Sequence, residues 1–147
     1  MLASLLRNML SLLGGAIVAI GLIGLVQIAA HTVYPPPQGL DYNDPAVLKT
    51  VMMNAPVGAL LLVLLSYAVG TFVGAAIATR LSSPEVPVRQ GYLVGALILA
   101  ASVMNLRAIP HPLWFWIGNF VVVIAAMVLG TRFGYPKRAV NPTAAQS

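Results

Sequence analysis

The chain has 147 residues, the length of one domain, with 59% hydrophobic and 7% charged residues and a mean hydropathy of +0.90. A water-facing surface needs about 25% charged residues, so a soluble domain is excluded and an integral membrane protein is expected. The net charge of +5 comes from dispersed cations that form no patch, so nucleic acid is not an expected partner. With no cysteine, disulfides, thiolate nucleophiles and Cys-ligated metals are excluded.

A helix crossing the roughly 30 Å hydrocarbon core needs about 20 mostly apolar residues. Four segments meet this, at about 10–33, 56–79, 91–109 and 113–132. Lipid cannot satisfy loose backbone groups, so each is expected to be helical. The first span carries no formal charge and has Gln27 and His31 near its end. Its apolar run is longer than the roughly 7–15 residues of a signal-peptide core, so it reads as a retained span. The third is the least apolar, because Asn105 and Arg107 crowd its end. The fourth opens on Leu113-Trp114-Phe115-Trp116, an aromatic belt at a membrane interface.

Charge sets the orientation. With both termini cytoplasmic, Arg7, Arg80, Arg89, Arg132, Lys137 and Arg138 lie inside, and only Lys49 and Arg107 lie outside. That asymmetry follows the positive-inside rule. The expected fold is all-α: a single four-helix transmembrane bundle, N-in and C-in, with a Pro-rich outer loop between the first two spans. Residues 134–147 are expected to form a cytoplasmic tail.

Hydrophobicity does not pull helices together in lipid; close approach through small residues does. In the second span Ser66, Gly70, Gly74 and Ala78 recur every four residues and form one small-residue stripe. The third span offers Gly91 and Gly95, and the first Gly14, Gly21 and Gly24. The stripe is expected to be a packing seam within the chain; a dimer interface is its rival reading.

The outer loop, His31 to Pro45, divides into parts. Pro35-Pro36-Pro37 lacks N–H donors and fixes φ, which favours a stiff polyproline rise. Gln38-Gly39 permits a turn. Asn43 or Asp44 before Pro45 is a helix start, a capping oxygen followed by proline at the first helical position. A short helix is expected over 45–54, on the membrane surface or leading into the second span.

Intramembrane ionisable residues are the usual pointers to transport or proton relay, and no Asp, Glu or Lys falls inside a span. The acids Asp41, Asp44 and Glu85 are all in loops. His31 and His111 are expected near the outer interface, where with Asp41 and Asp44 they could assemble a metal site. Their separation matches no metal-ligand motif, and pairing with backbone or headgroups is the plainer reading. Ser66 and Ser102 have no matching base for a hydrolase. Arg107 is expected to pair with Asp41 and Asp44 and close the outer face; a lipid phosphate or another subunit's acid is the alternative. Residues Asp41, Asp44, Arg107, His31 and His111 thus form an expected structural cluster. No catalytic, cofactor-binding or metal residue is assigned and no cofactor is expected.

The strings YPPPQGLD after the first span, GTFVGAAIATR ending the second and PHPLWFW opening the fourth resemble those of a group of small, uncharacterised bacterial membrane proteins with four spans. The resemblance covers about Tyr34 to Arg132 and implies a bacterial inner-membrane setting, with no activity or site residues to carry over. The expected function is a non-enzymatic structural or accessory subunit that packs against a larger membrane complex. An oligomeric transporter or channel, with Asn54, Asn105 and Asn119 on a polar seam, is the alternative. A metal binder or enzyme built on the histidines and loop acids comes third. The bilayer itself is the one partner composition requires.

Overall fold

The computed structural model describes residues 1–136, which form five helices: α1 (Leu2–Val33), α2 (Pro45–Met53), α3 (Val57–Leu81), α4 (Pro87–Ala108) and α5 (Leu113–Gly134). All but α2 are long and apolar enough to cross a membrane. The protein is an all-helical, four-span membrane bundle. Of the expected tail, residues 137–147, including Lys137 and Arg138, lie outside the described residues.

Helix α1 starts eight residues before its apolar run. Hydropathy penalises Arg7 and Asn8, but neither breaks a helix, and both are used where they stand. Arg7 Nε donates to Leu81 O at 2.8 Å. The Asn8 side chain accepts from Ser83 N (2.8 Å) and donates to Ser83 Oγ (3.0 Å). Ser83 Oγ in turn donates to Glu85 Oε2 at 3.1 Å, and Ser82 Oγ bonds both Thr79 O and Pro87 O. The α3–α4 turn is thereby capped by side chains from α1 and from itself. Helix α4 begins at Pro87, earlier than its apolar stretch, because proline suits a first helical turn.

Helix α3 is the centre of the bundle, packing against α1, α4 and α5. Its spanning window is 44% buried, against 17% for α1, which touches only α3 and α4. The α1–α3 contact is made backbone to backbone. A Cβ on Gly74 would lie 2.6 Å from Gly15 O and 2.6 Å from Ala19 Cβ, and one on Gly70 would lie 2.6 Å from Ala19 O. Ser66, Gly70, Gly74 and Ala78 are all buried. On α1 the residue at the seam is Gly15; Gly14, Gly21 and Gly24 face open space. Helix α5 repeats the device on another face of α3, with Gly130 against the Phe72 backbone and Gly134 against that of Ala76. Gly91 of α4 makes room for Thr79 and Thr131, and Gly95 for Met127.

Two apolar clusters fill the interior. One joins Ala19, Tyr67, Ala78, Val94, Ile98 and Val123 at mid-bundle. The other joins Leu60, Leu64, Leu106 and Phe115 toward the end that carries α2.

Candidate functional site

At the α2 end the close packing stops. Among the described residues, helix α2 has no buried residue and makes no close backbone contact with another helix. Its N-terminus is built as the Asp-Pro step suggests: Asp44 Oδ1 accepts from Ala46 N at 2.8 Å, with Pro45 at the first helical position. The preceding loop is folded on itself. Tyr42 donates its hydroxyl to Pro37 O at 2.6 Å, Asp41 Oδ1 accepts from Asn43 N (2.9 Å) and Nδ2 (3.1 Å), and Gly39 takes the turn at φ 78°. Tyr34 then lays its ring over Gly58, where a Cβ would strike the phenol. The segment 34–54 is thus a self-bonded arch that meets α3 through the Tyr34 ring, with Val47, Leu48, Val51 and Met52 half-buried.

Under this arch lies a cavity of about 530 Å³. Small-molecule sites occupy roughly 300–1,000 Å³ and are mostly apolar with a few placed polar groups. The walls here are Ala30, Ala59, Leu60 and Val63 below, and Pro35–Pro37, Val51 and Met52 above. The polar lining comes from Gln27, His31, Tyr34, Tyr42, Thr50, Asn54 and His111, with no Asp, Glu, Lys or Arg among the described residues. Most of these are already engaged. Thr50 Oγ1 donates to Ala46 O (2.9 Å), Asn54 Nδ2 to Thr50 O (2.8 Å) and Gln27 Nε2 to Ser66 Oγ (3.3 Å).

His111 is different. Its Nδ1 lies 2.7 Å from Ile109 O. A carbonyl can only accept, so Nδ1 carries the proton and Nε2 is left with a lone pair. The ring stacks on buried Phe115 at 4.7 Å and 14°. Burial pushes its pKa below the ordinary 6.5, outweighing the opposite pull of the Ile109 carbonyl. At neutral pH it is an uncharged ring whose Nε2 is an acceptor, held by stacking on one side and by backbone on the other. In the sequence this showed only as a histidine between two prolines.

The five residues of the expected outer cluster take different positions. His31, in the last turn of α1, and His111 line the same cavity, while Asp41, Asp44 and Arg107 do not. The hydrogen bonds of both acids stay within their own turn, and none among the described residues joins them to Arg107. No group of three His, Asp or Glu residues among the described residues is placed to hold a metal ion. The three asparagines are also apart. Asn54 lines the cavity under the arch, and Asn105 lines a smaller niche of about 250 Å³ between α1 and α4, donating to the Tyr67 hydroxyl at 3.5 Å. Asn119 is fully buried, donating to Ser102 Oγ at 2.9 Å.

No protein-family model, curated protein or solved structure matches the chain. The likeness in its short motifs therefore goes no further than a small, all-helical protein with four membrane-spanning helices.

Proposed function

We propose that the protein is a non-catalytic membrane protein that holds an apolar small molecule under the 34–54 arch, and serves as an accessory or structural component of its membrane. One observation carries this: a partly open, mostly apolar cavity lies beneath α2, which makes no close backbone contact with another helix among the described residues. A cleft of this size, mostly apolar with a few placed polar groups, has the character of a small-molecule site. The charge asymmetry of the loops supports an N-in, C-in orientation, with the arch on the outer side.

Native mass analysis after gentle detergent extraction tests the reading. A bound apolar species should accompany the chain and be lost in Ala59→Phe, which fills the cavity floor. Partner chains that co-purify would support the accessory role. A chain carrying only detergent, with the same detergent load in Ala59→Phe, would contradict ligand binding.

A further inference from the structure

We infer that the occupant is a neutral, hydroxyl-headed amphiphile whose O–H donates to His111 Nε2 while its hydrocarbon lies against Leu60, Val63, Val51 and Met52. This rests on the cavity being a binding site and goes further by naming the chemistry of its ligand. Three observations point the same way. Among the described residues no formally charged side chain lines the cavity, so a phosphate or ammonium head would be desolvated without a counter-charge, at a large cost. The walls are chiefly hydrocarbon, which selects an apolar body. The remaining requirement is set by His111: its Nδ1–H is committed to Ile109 O, so Nε2 accepts and discriminates in favour of a donor. A ketone, ester or ether offers only lone pairs there and leaves two acceptors facing one another. Histidine usually chooses between tautomers to suit a ligand, but here the backbone has made that choice.

The reporter is built in. Trp114 packs edge-on against Phe115 at 5.8 Å, Phe115 stacks on His111, and Trp116 packs against the cluster of Leu60, Leu64, Leu106 and Phe115. These are the chain's two tryptophans. A brominated long-chain primary alcohol and its methyl ether, identical except for the donor, are titrated into purified protein in detergent while tryptophan emission is followed. The alcohol should quench saturably and bind about tenfold more tightly than the ether, since a buried acceptor left unmet costs about that much. His111→Phe keeps the ring on Phe115 and removes the acceptor, and should reduce the alcohol to the ether's affinity. His111→Gln, whose amide both accepts and donates, should bind either probe and narrow the preference for the alcohol. Equal, saturable binding of alcohol and ether by the wild type would overturn the hydroxyl assignment and leave the binding site standing. Quenching by neither probe would overturn both. The wild-type comparison decides the matter even if His111→Phe fails to fold.

Discussion

The α1–α3 seam and the 34–54 arch are built from neighbouring stretches of one chain on opposite principles. At the seam, Gly15, Gly70 and Gly74 bring backbones so close that even one added carbon meets main-chain oxygen. At the arch, a nine-residue helix with no buried residue follows a loop held by its own bonds and by Tyr34, with a cavity below it. In lipid there is little hydrophobic drive to close the seam, so small-residue geometry decides which helix surfaces meet there. The seam uses small residues to exclude everything. The arch uses proline, turn and cap to keep its distance, which leaves room for a guest.

The largest expected effect is at the seam. Gly74→Leu would drive a side chain into Gly15 O and Ala19 and should lower stability by about 3 kcal/mol in reversible SDS unfolding. Gly14→Leu, one position away on the open face, should stay within about 0.5 kcal/mol of wild type in the same assay. Equal effects at the two glycines would break the comparison. Next, Asn119→Ala removes the bond to Ser102 at the α4–α5 contact and should cost about 1–2 kcal/mol.

Affinity for the alcohol should fall about tenfold as pH drops through the His111 pKa, because a protonated Nε2 cannot accept. Since burial sets that pKa below 6.5, the loss should come on the acid side of that value. His31, Tyr34 and Tyr42 also line the cavity, so the titration is best made with His31→Asn. The smallest effect is Asp44→Ala. Loss of the cap on Ala46 N should cost α2 about 1 kcal/mol, seen as faster amide exchange over 45–53 with an unchanged SDS midpoint.

Much of the scaffold was legible in the sequence because membrane chemistry leaves few options. Long apolar runs have to be helices, and a four-residue spacing places Ser66, Gly70, Gly74 and Ala78 on one face whatever lies opposite. Asp44-Pro45 announces a helix start by local chemistry alone. What could not be read depends on rotation and tertiary placement. Gly14 and Gly15 are neighbours about 100° apart on the helix, and only the docking of α3 selects Gly15. The Ala126, Gly130 and Gly134 spacing on α5 carries the same signal as the α3 stripe. The cavity has no local signature. It exists because the ends of α1 and α3, the α4–α5 turn and the arch meet around a space. His111 gains its fixed tautomer from a backbone carbonyl two residues away.

Hydrogen exchange followed with and without the brominated alcohol sets the two regions against each other most directly. The account predicts slow exchange across Gly70–Ala78 in both conditions, and fast exchange over Pro45–Met53 that slows when the alcohol is bound. An α2 as protected as the seam without ligand, or one unmoved by a saturating amount, would contradict it.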